Sequence, residues 1–164
     1  MRRNEGDMVK ELAEGDMAPN FELPTDGSGG RMHLQELKGK PVVIYFYPKD
    51  DTSGCTAEAI DFNALRAKFA AAGATIIGIS PDNATSHDKF KHKHDLKIAL
   101  AADPERSAIE AYGVWKEKSM YGRKYFGVER STFLIDSNGR IAKIWRKVKV
   151  PGHAEEVMAA TKAL

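Results

Sequence analysis

The stretch Tyr45-Phe-Tyr-Pro-Lys-Asp-Asp-Thr-Ser-Gly-Cys-Thr-Ala-Glu-Ala59 runs from a β-branched and aromatic strand, through Pro48, into a polar loop and then into a helix. Cys55 stands where loop becomes helix, and it is the single cysteine among 164 residues. One thiol excludes an intrachain disulfide, a CxxC redox centre and a zinc site built on two or more thiolates. Helical spacing from Cys55 leads to Ala59, Phe62, Arg66 and Phe69, so the thiol begins a mostly core-facing stripe. In a first helical turn, unpaired backbone N–H groups and the positive end of the helix dipole favour an anion and raise the thiolate fraction. A lone cysteine is by default a small core hydrophobe, and its neighbours decide between that reading and a nucleophile.

Working outward, strands are expected at Asn20–Leu23, Val42–Tyr47, Thr75–Ser80, Ser131–Asp136 and Ile141–Arg146, with a weaker one at Ile98–Ala101. Helices are expected at Thr52–Ala72, Ala84–His94, Ser107–Tyr112 and His153–Ala163. Asp136-Ser-Asn-Gly139 reads as the turn of a closing hairpin. Early strand–helix–strand units need right-handed crossovers between parallel strands, and a closing hairpin adds antiparallel ones. The expectation is an α/β protein with a central mixed sheet flanked by helices on both faces, the plan of a thioredoxin-like fold.

The length fits one domain, 1–164, with residues 1–14 as an N-terminal extension, and Gly27-Ser-Gly-Gly30 is too short for an interdomain linker. With 42% hydrophobic and 29% charged residues, the composition excludes a disordered tail or a fibre. Lys plus Arg total 25 against 23 Asp plus Glu, a net charge of +2 that does not announce a nucleic-acid binder. Charge is uneven, however. Ten basic and three acidic residues between Val114 and Lys149 give +7, leaving −5 for the remainder, which reads as a solvated surface. No apolar run suits a signal peptide or a bilayer span, so a cytoplasmic protein without membrane contact is expected, in a reducing compartment where a thiol stays free.

Pro48, Thr52 and Cys55 satisfy Pro-x-x-x-Thr-x-x-Cys, and the string around them resembles the peroxidatic loop of peroxiredoxins, most closely the bacterioferritin comigratory protein or peroxiredoxin Q branch. Three further segments are similar in order: Gly15-Asp-Met-Ala-Pro-Asn-Phe-Glu-Leu23, Gly78-Ile-Ser-Pro-Asp82 and Glu129-Arg-Ser-Thr-Phe-Leu-Ile-Asp136. The resemblance implies a peroxiredoxin fold and a thiol-dependent peroxidase. Cys55 would be the nucleophile, Thr52 and Arg130 its activating partners, and Pro48 a shield over a substrate pocket to which Gly54 lends a backbone N–H. Peroxide cleavage needs a thiolate attacking one oxygen and donors aimed at the oxygen that leaves. A guanidinium with fixed N–H directions suits that task better than a mobile ammonium.

The chain departs from the branch in two places. Where its common pattern carries a resolving cysteine five residues after the first, Ile60 stands here, and the alternative position near Lys91 holds none either. A one-cysteine cycle follows. The Cys55 sulfenic acid must be resolved by an external thiol, from thioredoxin or from glutathione with glutaredoxin. Ser53 replaces the proline more often found before Gly-Cys, which loosens the start of the helix.

No metal, haem or flavin is implied, and a monomer or small homodimer fits the branch. The competing readings are a non-catalytic redox switch acting through a partner and a basic binding module that uses the +7 segment. His87, His92 and His94, interleaved with lysines, read as a solvated helix face instead of a metal site. Trp115 and Tyr121 to Phe126 read as an ordinary loop packed on the sheet. Glu58 reads equally as a surface residue or as a partner of Arg130.

Overall fold

A computed structural model describes residues 11–25 and 30–164. Most of the Gly27–Gly30 stretch and of the N-terminal extension therefore lies outside the described residues. In chain order the elements are β1 (Glu22–Pro24), β2 (Arg31–His33), a 3-10 turn (Leu34–Leu37), β3 (Val42–Phe46), α1 (Ser53–Ala64), α2 (Arg66–Ala71) and β4 (Thr75–Ser80). There follow α3 (Ala84–His94), β5 (Ala99–Ala102), α4 (Ser107–Ala111), β6 (Trp115–Met120), β7 (Arg123–Val128), β8 (Ser131–Ile135), β9 (Ile141–Trp145) and α5 (His153–Lys162).

The main sheet has the order β9-β8-β3-β4-β5. Strand β3 pairs parallel with β4, and β4 with β5, whereas β8 and β9 are antiparallel to their neighbours. This is the mixed sheet expected from two crossover units followed by a hairpin. Central β3 is buried along its whole length, and its alternation divides the core. Val42, Ile44 and Phe46 face one apolar cluster, with Phe21, Ile109, Tyr112 and Phe133. Val43, Tyr45 and Tyr47 face the other, with Cys55, Phe62, Phe69, Phe90 and Val157 from α1, α2, α3 and α5. Helices thus cover both faces, and Cys55 lies on the side of the sheet that carries most of them. Gly78 of β4 is required by this packing, because a Cβ there would fall 2.6 Å from Tyr45 Cζ and 2.9 Å from Leu100 Cδ2.

Three expectations need correction. The single helix over 52–72 is two, separated at Leu65 (φ −98°, ψ 3°). Beside that break, Asn63 is drawn to other partners: its Oδ1 accepts from Lys97 N–H, and its carbonyl accepts from the Arg66 guanidinium. The segment around Tyr121–Phe126 is not a loop packed on the sheet but a separate two-stranded hairpin, β6–β7. Its turn, Tyr121-Gly122, has positive φ at both positions, as a tight two-residue hairpin turn requires.

The third correction concerns α3. His87 is not solvated: it is fully buried, its Nδ1 lying 2.8 Å from Asp50 Oδ2 and its Nε2 3.0 Å from the Ala101 carbonyl. Three-residue spacing puts His87 on the same helix face as buried Phe90, and that face meets the core. His94, by contrast, reaches Asp51 near the surface.

Candidate active site

Cys55 occupies the first turn of α1, after an extended Thr52 (φ −89°, ψ 157°) that stands at the N-cap position. Pro48 ends the run of β3 and is half-buried, and the loop from Lys49 to Thr52 then turns sharply at Asp51 (φ 61°). Asp51 holds this left-handed conformation while its carboxylate accepts from Lys93 Nζ at 2.6 Å and His94 Nε2 at 2.9 Å. Asp50 fastens the loop from inside. Its carboxylate accepts from Tyr47 Oη (2.6 Å) and Ser86 Oγ (2.8 Å) and meets His87 Nδ1, while its own N–H donates to Asp82 Oδ2 (2.8 Å). A buried carboxylate is tolerable when it is this fully partnered. The approach to Cys55 is therefore tied to α3 at two successive residues.

The thiol is free and only 1% exposed. Arg130, two residues past β7, donates from Nη2 to Cys55 Sγ at 3.4 Å and from Nη1 to Glu58 Oε1 at 2.6 Å. Gly54 lies under the same guanidinium, since a Cβ there would sit 3.2 Å from Arg130 Nη2. The sequence-expected residues Cys55, Gly54 and Arg130 are thus brought together. Thr52 is placed differently: its hydroxyl donates to the Lys49 carbonyl at 2.9 Å, closing the loop in front of α1.

Glu58 is the residue whose role sequence left open, and the fold decides it. One helical turn after Cys55 and 1% exposed, it grips Arg130 from the core side. Burial raises its carboxyl from an ordinary 4.5 to about 7, against the opposing pull of the Arg130 charge and hydrogen bond. Its Oε2 is buried without a hydrogen-bond partner among the described residues, as is Tyr45 Oη. Tyr45 is held well above the usual phenol range by burial first, then by the charges of Glu58 and Cys55. On Arg130, burial acts downward, but Glu58 and Cys55 outweigh it and leave the guanidinium more firmly protonated than usual. Ile60, five residues after Cys55, points from α1 to solvent and is 45% exposed. No group of three or more His, Cys, Asp or Glu side chains is arranged to hold a metal ion among the described residues.

A sheltered thiol at a helix N-terminus, with a guanidinium fixed on its sulfur by a buried acid and mounted on a mixed sheet of thioredoxin-like order, makes a candidate site for thiol peroxidase chemistry. Residues 14–144 match the AhpC/TSA family, and the chain belongs to it, on the branch of the Bcp or Q peroxiredoxins, which are thiol-dependent peroxidases. It is 50% identical over 148 residues to peroxiredoxin Bcp of Bacillus subtilis, covering 90% of this chain and 94% of that one. Peroxiredoxin Bcp of Xanthomonas campestris is 49% identical over 147 residues, 89% and 92% of the two chains. Among solved structures, a peroxiredoxin Q of X. campestris superposes with a TM-score of 0.83 at 48% identity, covering 87% of this chain and 90% of its own. A PrxQ variant of Xylella fastidiosa gives 0.88 at 40% identity, with coverage of 94% and 98%.

Proposed function

We propose that Cys55 is the peroxidatic nucleophile of a one-cysteine cycle that reduces hydrogen peroxide and organic hydroperoxides. The observation that carries this reading is the 3.4 Å contact from Arg130 Nη2 to Cys55 Sγ, with Arg130 itself fixed at 2.6 Å on buried Glu58. Alkyl peroxide reduction is the activity described for a bacterioferritin comigratory protein of X. campestris that is 47% identical to this chain.

In the first step the Cys55 thiolate attacks one peroxide oxygen. The O–O bond breaks, an S–O bond forms, and the departing oxygen takes a proton to leave as water or alcohol, with Cys55 as sulfenic acid. Arg130 stabilises the thiolate beforehand and the charge that develops on the departing oxygen. The backbone N–H groups of Gly54 and Cys55 lie in an unpaired first helical turn and can donate to the same anion. Thr52 contributes by closing the loop through Lys49, with its hydroxyl oxygen left as an acceptor for the proton of the incoming peroxide. Pro48 restricts the backbone at the rim of the pocket and keeps water off the sulfur.

Resolution must come from outside, because Cys55 is the only cysteine of the chain. An external thiolate attacks the sulfenic sulfur and releases water, leaving a mixed disulfide. A second thiol then releases Cys55 and carries away the oxidising equivalents as its own disulfide. We place the cycle in the cytoplasm, where thioredoxin or glutathione with glutaredoxin supplies such thiols, with the protein as a monomer or small homodimer.

The test is a peroxide-consumption assay on protein with Cys55 reduced. One equivalent of peroxide should be consumed rapidly per Cys55, with continuous turnover once thioredoxin, glutathione with glutaredoxin, or a small dithiol is supplied. Oxidation no faster than that of a free model thiol would sink the enzyme reading. Rapid oxidation with no turnover under any donor would favour the redox switch.

A further inference from the structure

The β6–β7 hairpin stands apart from the five-stranded sheet, gives only buried Val128 and half-buried Trp115 to the core, and has a strongly basic surface. It carries Lys116, Lys118, Arg123 and Lys124 against Glu117 alone. The register pairs Lys116 with Gly127, Lys118 with Tyr125 and Met120 with Arg123, so Lys116, Lys118, Met120, Arg123 and Tyr125 share one face. The opposite face stacks Trp115 on Phe126, and Arg106 lies 4.6 Å over the Trp115 ring, which turns that side toward α4. At the tip Tyr121 is 96% exposed, and Met120, Tyr125 and Phe126 are also exposed.

The cationic face belongs to the neighbourhood of Cys55. The base of the hairpin is closed by Glu129 N–H donating to the Val114 carbonyl at 2.8 Å, and the next residue is Arg130, whose guanidinium touches the sulfur. Lys118 runs along Gly127, its Cδ and Cε 3.6 Å from where a Cβ would stand, back toward this base. Burial and then the Arg130 charge lower the Lys118 ammonium, while Cys55 and Glu129 act in the opposite sense. The face therefore runs from the flank of the active site to the tip of the hairpin, roughly 20 Å for six residues at strand rise.

We propose that this face is the docking surface for the reductant, a protein dithiol with an acidic rim around its own reactive cysteine; the inference rests on the one-cysteine peroxidase reading above. Charge complementarity gives the sign of the partner. Length and residue types give its class, because exposed Met120, Arg123 and Tyr125 on this face, with Tyr121 at its tip, suit a macromolecular interface, whereas a small thiol would use only the Lys118 end. A second copy of this chain is disfavoured as the occupant, since a two-fold axis through the face would set lysine and arginine against themselves.

The arrangement also answers a mechanical need. Cys55 is too buried for another protein's sulfur to reach it unless the first turn of α1 opens. The hairpin is anchored through buried Val128 and the start of β8, not through α1, so it can hold a partner while that turn moves. The docked thiolate then attacks the Cys55 sulfenic sulfur, water leaves, and the partner's second thiol breaks the mixed disulfide.

The test compares the wild type with Lys116→Glu/Arg123→Glu and with Tyr121→Ala. Oxidation of Cys55 by hydrogen peroxide is followed by stopped flow. Re-reduction is then measured with three probes: an acidic bacterial thioredoxin kept reduced by its reductase and NADPH, dithiothreitol, and glutathione. The expected result is unchanged oxidation and unchanged dithiothreitol reduction in both variants. The thioredoxin rate should fall about tenfold or more at low salt in the charge reversal, and the wild-type rate should fall with added salt. The proposal is overturned if thioredoxin fails to reduce the wild type, if its rate is the same in all three proteins, or if dithiothreitol and thioredoxin slow together. It is also overturned if only glutathione responds to the charge reversal, which would make the face a site for a small anionic thiol. Slow peroxide oxidation of the wild type would instead refute the peroxidase reading, a result separable from every docking outcome.

Discussion

Arg130→Ala separates what the guanidinium does for chemistry from what it does for folding. Its two contacts have different fates. The bond to Cys55 Sγ at 3.4 Å has a charged guanidinium donor, and such a bond contributes about 1.5–3 kcal/mol, so its loss should slow peroxide oxidation of Cys55 about 10- to 100-fold. The bond to Glu58 governs stability. In the unfolded chain Glu58 gives up its proton near 4.5, but in the folded protein only near 7. Between those values the folded state binds more protons, so the stabilisation is complete below 4.5 and is withdrawn as pH rises through about 7. At ~1.4 kcal/mol per pH unit this withdrawal amounts to about 3 kcal/mol. Removing Arg130 takes away the positive charge that holds the carboxyl down, so the Glu58 titration moves higher and the variant goes on losing stability where the wild type has levelled. Neutralisation of Glu58 limits the damage that a stranded buried charge would cause. Urea unfolding at pH 6 and pH 8.5 should therefore show a small gap between the two proteins at the lower pH and a larger one at the higher. Adding Glu58→Gln to Arg130→Ala should remove the pH slope and recover stability while oxidation stays slow. An equal stability gap at both pH values would refute the assignment to Glu58, and an oxidation rate within about twofold of wild type would remove Arg130 from the reaction.

Gly54→Ala would place a methyl 3.2 Å from Arg130 Nη2 and displace the guanidinium by a few tenths of an ångström. Oxidation of Cys55 should slow several-fold while the unfolding midpoint changes little, and a wild-type rate would show that the sulfur tolerates a shifted arginine. Ser53→Pro should stabilise the protein by about 0.5–1 kcal/mol, because Ser53 is the first residue of α1 and Thr52 before it is already extended. Thermal unfolding checks the gain. Stopped-flow reduction of the sulfenic acid by a protein thiol should become slower in the same variant, since a stiffer first turn opens less often.

Residues that pack on a regular period announced themselves in the sequence. Val42–Tyr47, Thr75–Ser80 and Ser131–Asp136 are dense in β-branched and aromatic side chains and became the three inner strands of the sheet, while the loop between Pro48 and Cys55 marked the candidate site. What sequence concealed were polar residues whose partners lie far along the chain. His87 looked solvated among lysines because its partner Asp50 is 37 residues away, and only the folded sheet brings the two to 2.8 Å. Glu58 was ambiguous for the same reason, with 72 residues separating it from Arg130. The β6–β7 hairpin escaped notice because polar residues occupy both of its faces, Lys116, Lys118 and Arg123 on one and Glu117, Ser119 and Lys124 on the other, leaving no alternation to read. The positive φ of Tyr121 also put a strand turn where an Asn-Gly or Asp-Gly pair would have been the usual signal.

Ile60 shows how freely this scaffold can change its source of electrons. An α-helical separation of five residues turns the side chain about 140° around the axis and lifts it about 7.5 Å, beyond the geometry a disulfide accepts, so a thiol at 60 could bridge to Cys55 only after the first turn unwinds. The position faces water, and its occupant contributes little to either apolar cluster. Exchange between cysteine and isoleucine there is close to neutral for folding. A lineage built on this scaffold can pass between carrying its own resolving thiol and depending on a neighbour's by one substitution, without repacking the core.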